Sequence, residues 1–416
     1  MNPPSSEVET FAPKAPPLRR YASLAGLYVA QAIPIYLIIA ALPAIFREQG
    51  VSRSFIGAIA LLFLPWILKF LWAPLIDRTT LWRRLGRRRS WILPMQSVNV
   101  AMLLVLSQLS PAEDLAMIMA VMTVIAFAAS TQDIATDGYA VEMLRASERA
   151  YGNAIQGGSV AVGVVVGSGL ALLIYDHAGW QAMTLSIAGL ATLAALPLAL
   201  MEAEPSPETA KETARPSLLA FLRRREVLPV LAFALVFRCS EGLVKAMEQP
   251  FLVDKQLSLS LIGLTSGVSA ATVGLLGSVL AALIIRKAGL FACLYGLGLA
   301  RTLCFGLFAV AALLPEVPAS ALVALVGLNT IIRYMEIVGL YSLYMGACSA
   351  RQPATDFTLL SCAQLLVYMA GSLVSGVLAD WIGYTALFAL ATLLSLAAII
   401  FCMRLIPRSH PAYAGV

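Results

Sequence analysis

The stretch Glu202–Glu226, EAEPSPETAKETARPSLLAFLRRRE, decides the architecture because it parts two long apolar halves. It carries Pro205, Pro207 and Pro216, several acids and the basic run Arg223–Arg225, a composition that belongs in water. Working outward, six apolar runs precede it, at about 21–46, 55–76, 91–109, 115–141, 154–175 and 181–201. Six more follow, at about 228–250, 261–285, 290–314, 320–347, 358–380 and 383–404. About 20 apolar residues cross a bilayer core as a helix. Equal halves joined by a charged linker suit a transporter of two six-helix bundles with parallel repeat symmetry. The expected layout is a disordered tail over 1–20, a bundle over 21–201, a linker over 202–227, a second bundle over 228–404 and a tail over 405–416. The fold class is therefore an all-α polytopic membrane protein with 12 transmembrane helices.

Composition agrees. Of 416 residues, 60% are hydrophobic and 12% charged, whereas soluble domains average about 45–50% and about 25%. A soluble enzyme is excluded. The net charge of +6 reflects topology. With the N-terminus inside, 21 of the 29 Lys and Arg residues fall in inner segments. Arg47, Arg53 and Lys255 fall outside, and Lys69, Arg238, Lys245, Arg301 and Arg333 lie within spans. This bias predicts that both ends are cytoplasmic, and it gives no support for nucleic-acid binding. Cys239, Cys293, Cys304, Cys348, Cys362 and Cys402 fall singly, and only His177 and His410 are present. No disulfide framework, metal site or cofactor is expected. A monomer, with the lipid bilayer and a small molecule as its partners, is the expected state.

Ionisable side chains inside a membrane cost at least about 2.5–3.5 kcal/mol on insertion scales and persist where they face a cavity or a partner. Span seven carries Arg238, Glu241, Lys245 and Glu248, spaced so that all share one helical face. Span ten carries Asn329, Arg333 and Glu336 on one face, with Tyr334 beside them. Span four carries Asp133 and Asp137, and span two carries Lys69. Asp133, Asp137, Glu241 and Glu336 are the candidates for carrying a coupling proton. Arg301 has no companion in its own segment, so a structural pair with another helix is expected. After span two, Asp77 is followed by the basic loop 78–89. Asp77, Arg78, Arg87, Arg88 and an acid such as Glu142 or Asp137 form a candidate gating latch. No G-x-x-x-x-G-K-[ST], G-x-S-x-G or H-E-x-x-H motif occurs, so neither direct ATP use nor an enzyme is indicated.

Three stretches carry a resemblance: LKFLWAPLIDR at 68–78, GRRRSW at 86–91 and STQDIATDGYA at 130–140. Together they resemble the branch of the major facilitator superfamily that holds muropeptide permeases, acetyl-CoA transporters and the siderophore permeases for rhizobactin and pyochelin. AQAIPIYL at 30–37 and GVSRSFIG at 50–57 are most similar to the siderophore permeases, and Tyr139 stands where the other two groups carry Trp. The resemblance implies inner-membrane, proton-coupled import of a ferri-pyochelin-like complex by alternating access. Iron would enter only inside that substrate. The alternative is a muropeptide or acyl-CoA-like anion permease of the same fold. The resemblance further implies a site between the halves, where Tyr28, Gln31, Tyr36, Trp66, Tyr139 and Tyr334 would pack on the ligand. Lys69, Arg238, Glu241, Lys245, Arg333 and Glu336 would supply its charged contacts.

Overall fold

The computed structural model describes residues 17–49, 51, 59–201, 216–257 and 268–406. Most of the expected N-terminal tail and linker, the C-terminal tail past 406, part of the 50–57 motif and the first residues of spans two and eight lie outside the described residues. The helices are numbered here in chain order. The first half holds α1 (Leu18–Phe46), α2 (59–78), α3 (Arg87–Leu106), α4 (Leu115–Met143), α5 (149–178) and α6 (180–200). The second holds α7 (228–254), α8 (Val268–Ala288), α9 (Leu290–Leu313), α10 (Ala319–Ala347), α11 (353–382) and α12 (384–405).

Among the described residues, seven continuous helical stretches are long and apolar enough to cross a membrane by length and composition. Two of them, Ala146–Leu200 and Pro353–Leu405, run 55 and 53 residues. Straight, each would reach about 80 Å at 1.5 Å per residue, against about 30 Å of hydrocarbon. Each is broken at a glycine in the left-handed region, Gly179 at φ 80° and Gly383 at φ 74°. Those breaks separate α5 from α6 and α11 from α12. Large apolar side chains stand on the outside, such as Leu303 at 71% exposure and Leu373 at 77%, as a lipid-facing belt requires.

The two halves are six-helix bundles packed by close backbone approach, since lipid gives helices no hydrophobic reason to associate. In the first, α5 lies against α1. A Cβ on Gly163 would overlap Ala32, and one on Gly167 would overlap the Ile33 carbonyl. In the second, α7 lies against α11, where a Cβ on Gly242 would overlap the Tyr368 carbonyl. These two glycine seams occupy corresponding places in the two bundles, a repeat that the residues themselves do not display. Between the bundles, α5 meets α8 and α10, while α2 and α4 meet α11.

Several helices are irregular where the bundles meet. α1 has a π-helical turn at Leu37–Ala41 and α5 another at Val165–Leu170. α2 tightens to 3-10 geometry at Lys69–Leu71, just before Pro74, which has no N–H to continue the ladder. α7 loses its helical ladder after Val236 and resumes at Glu241.

Candidate functional site

Two charge clusters face each other near the middle of the molecule, one per bundle. Tyr28, Lys69 and Asp133 in the first, and Arg238, Arg301 and Glu336 in the second, stand nine to eleven residues from the same end of their helices. That is about 15 Å of helix. The shared end is the one carrying the basic loop 78–89, called the basic end below.

In the first cluster Lys69 Nζ lies 2.5 Å from Asp133 Oδ2 and 3.6 Å from Asp137 Oδ2. Tyr28 OH donates to Asp137 Oδ1 at 3.1 Å, and Gln156 Nε2 donates to the same oxygen at 3.4 Å. Gln31 Nε2 donates to Thr136 Oγ1 at 2.6 Å, fixing α1 on α4 one residue away. One cation thus meets two carboxylates. The four-residue spacing of Asp133 and Asp137 places them on one face of α4, and the tightening of α2 aims Lys69 between them.

The second cluster reverses the sign. Arg238 Nε donates to Glu241 Oε2 at 2.7 Å and lies 3.3 Å from Glu336 Oε2. Arg301 Nη1 donates to Glu336 Oε1 at 2.7 Å. Arg333 Nε lies 3.0 Å from Glu241 Oε1. Three cations therefore meet two carboxylates. Arg301 also donates from Nη2 to the Phe237 carbonyl at 2.6 Å, the oxygen freed because Glu241 N turns to Arg238 O at 3.1 Å instead. The break in α7 is thereby satisfied from α9. Further along the same seam, Lys245 Nζ lies 2.5 Å from Glu248 Oε1, and Asn329 Nδ2 donates to Glu248 Oε2 at 2.8 Å.

Exposure separates these groups. The side chains of Arg333, Lys245 and Asp133 are 30%, 24% and 18% exposed, whereas those of Arg238, Glu241, Glu248, Arg301, Glu336, Lys69 and Asp137 are at most 7% exposed. Arg333 lies over the Tyr368 ring, 5.4 Å from its centroid. It also lies within electrostatic reach of Tyr36 and Tyr334. Tyr341 stands between the clusters, within reach of Asp137 and Lys69 on one side and Arg238 on the other.

The other anticipated residues are placed differently. Trp66 is buried and stacked on Phe63, with ring centroids 5.4 Å apart. Tyr139 has no exposure and packs in the apolar core shared with α1 and α3. Gln156, Tyr341 and Tyr368 are not among the candidates from sequence, and Arg301, expected only as a structural pair with another helix, pairs with Glu336 on α10. Single amides and tyrosines in apolar runs carry no cost that flags them, but Arg301 was conspicuous as an intramembrane charge.

At the basic end, Arg88 Nη2 donates to Asp77 Oδ1 at 2.7 Å and to Glu142 Oε1 at 2.6 Å. Arg87 pairs with Glu142 as well. The second Asp77 oxygen accepts from Thr355 N at 2.7 Å and Thr355 Oγ1 at 2.6 Å, at the start of α11 in the other bundle. Arg78 takes no part in this set, and its Nε instead donates to the Pro216 carbonyl of the linker. Asp137 belongs to the Lys69 cluster and not to the latch. The linker is tied down further by Arg224 Nη2, 2.8 Å from Asp356 Oδ2, and by Ser217 N, which donates to Gln352 Oε1 at 2.9 Å.

Comparison with known proteins supplies the context. The sequence model described as "Major Facilitator Superfamily" matches residues 24–355. The anhydromuropeptide permease of Escherichia coli K12 is 29% identical over 273 residues, 64% of this chain and 54% of that protein. The chain thus spans about half the length of that relative. A putative transporter, AmpG 4, of Rickettsia felis is 23% identical over 393 residues, covering 91% of this chain and 94% of its own. In fold, the chain is similar to a bacterial homologue of the iron transporter ferroportin in an outward-facing state, with TM-score 0.69 and 12% identity. That match covers 93% of this chain and 99% of the other. The human organic anion transporter MFSD10 matches at TM-score 0.69 and 18% identity, covering 93% and 100%. At such identities these two show the fold alone.

The expected import of a siderophore is corrected by the Escherichia coli relative, which is named an anhydromuropeptide permease. The kinship with siderophore permeases rested in part on Tyr139 in place of Trp. That side chain is buried in the bundle core.

Proposed function

The chain belongs to the Major Facilitator Superfamily, and we propose that it is a membrane permease for anhydromuropeptide-like substrates, driven by protons and working by alternating access. The observation that carries the substrate is the 29% identity to an anhydromuropeptide permease over 273 residues. The family places the chain among transporters rather than enzymes. The basic bias of the 78–89 loop supports a cytoplasmic basic end, with both termini on that side. The Asp77–Thr355 bridge and the hydrogen bond from Asn153 to Ser342, 3.1 Å long between α5 and α10, join the bundles toward that end. This geometry fits a state shut toward the cytoplasm.

The charge balance supports the coupling. With all groups ionised, Lys69, Asp133 and Asp137 sum to −1. A single bound proton brings the set to neutrality inside a medium where net charge is costly. Glu241 and Glu336 each face two arginines and so are already neutralised. Asp133 and Asp137 are therefore favoured over those two as the proton site.

The test is uptake of radiolabelled anhydromuropeptide into vesicles carrying the protein, with and without an imposed proton gradient. Saturable uptake that collapses with a protonophore is expected, with unlabelled ferri-siderophore failing to compete. Uptake no greater than that of vesicles lacking the protein would overturn the reading.

A further inference from the structure

Each partly exposed cation of the second cluster is paired with a carboxylate that keeps a second partner. Arg333 pairs with Glu241, and Glu241 also accepts from Arg238 at 2.7 Å. Lys245 pairs with Glu248, and Glu248 also accepts from Asn329 at 2.8 Å. Removing one member of a buried pair ordinarily strands the other charge and is strongly destabilising. Glu241 keeps Arg238 as a cationic partner when Arg333 leaves, and Glu248 keeps the amide of Asn329 as a hydrogen-bond donor when Lys245 leaves. The hold on Arg333 is also loose, because its Nε stands 3.0 Å from Glu241 Oε1 without an aligned hydrogen bond.

Resting on the transport reading above, we propose that Arg333 and Lys245 form an anion subsite that takes carboxylates of the substrate by counter-ion exchange, with Glu241 and Glu248 as the resident surrogates. Both cations lie on the α7–α10 seam, since Glu241 and Glu248 on the face of Lys245 each meet α10. Lys245 stands four residues beyond Glu241, one helical turn or about 6 Å along α7. The subsite thus suits two carboxylates on one flexible chain, as in the peptide part of a muropeptide. Tyr368 lies under the Arg333 guanidinium, and Tyr36 and Tyr334 stand within its electrostatic reach, so the Arg333 end is also aromatic. Asn329 and Arg238 are positioning residues, because they hold the surrogates while the substrate replaces them.

Purified full-length protein is titrated with an anhydromuropeptide bearing free carboxylates and with the same compound amidated. Wild-type protein binds the acid roughly tenfold or more tightly than the amide, and Arg333→Gln and Lys245→Gln erase that preference while Arg333→Lys restores part of it. Asn329→Leu leaves Glu248 to Lys245 alone, so the half-saturation concentration rises several-fold with the maximal rate kept; a purely structural role would lower the maximal rate and the yield instead. A second arm uses short acidic peptides and their amides in a thermal-shift assay. If neither form of the muropeptide binds while acidic peptides stabilise the wild type and not Arg333→Gln, the substrate reading falls and the subsite stands. Equal response to acid and amide in both arms, or full acid preference in Arg333→Gln, overturns the subsite.

Discussion

Asp137 shows how much one side chain can be asked to do. It accepts from Tyr28 and Gln156 and shares Lys69 with Asp133, so its charge is stabilised by several partial donors and one shared cation. Asp133 is the more exposed of the two and holds Lys69 directly. On the proposed coupling, a proton entering from solvent would reach the more exposed Asp133 first, with Asp137 as its neighbour. Replacing Asp137 by Asn fixes the set at neutrality, so the proton has no role left to play. The expected result is loss of gradient-driven accumulation by about tenfold or more, with substrate exchange across the membrane retained. Accumulation at the wild-type level in Asp133→Asn and Asp137→Asn alike would remove both carboxylates from the coupling step. Sequence alone brought these residues forward because the cost of a buried charge is visible in any apolar run. The donors Tyr28 and Gln156 differ in that respect. Tyr28 stood out only through family resemblance, and nothing in the apolar run around Gln156 marks it.

At the scale of the element, the break in α7 is the feature least legible in the sequence. Residues Phe237, Arg238, Cys239 and Ser240 include neither proline nor glycine, the usual causes of such breaks. The cause is tertiary. Arg301 on α9 takes the Phe237 carbonyl, stacks over the Phe237 ring at 4.7 Å and holds Glu336 on α10. A side chain 64 residues away thus replaces a bond the helix gives up. By contrast, the stripes on α4, α7 and α10 were legible, since the 3.6-residue period fixes which residues share a face whatever the packing. The break makes a specific demand on Arg301. Arg301→Leu leaves Glu336 to Arg238 and strands the Phe237 carbonyl, a loss of about 1–3 kcal/mol for the unsatisfied oxygen. A lower melting temperature of the purified protein and poor yield are expected. Arg301→Lys should recover part of the stability, because it restores the charge but not the fork that reaches both acceptors. Unchanged melting in both variants would show that α7 holds its break without α9.

For the whole molecule, the two-bundle layout was readable from hydropathy and the polar stretch at 202–226, while the bond that closes it was not. Asp77 and Thr355 are 278 residues apart, and only the fold shows that the carboxylate of a candidate latch also caps the first turn of α11. Cap and charge together are worth about 1–2 kcal/mol. That is small enough to be broken in each cycle and large enough to bias the resting state. Alternating access requires these contacts to open whenever the site faces the cytoplasm. Asn153 and Ser342 join the bundles at the same end through a second helix pair, with Nδ2 and Oγ 3.1 Å apart across α5 and α10. In a background stripped of the native cysteines, N153C and S342C can be bridged by a short bifunctional thiol reagent. Bridging should stop uptake almost completely, and reduction should restore it. The bridged protein should still bind substrate from the outer side, because the seam holds shut only the basic end. Full uptake after complete bridging would mean that α5 and α10 stay together throughout the cycle, and the gate would then have to lie elsewhere.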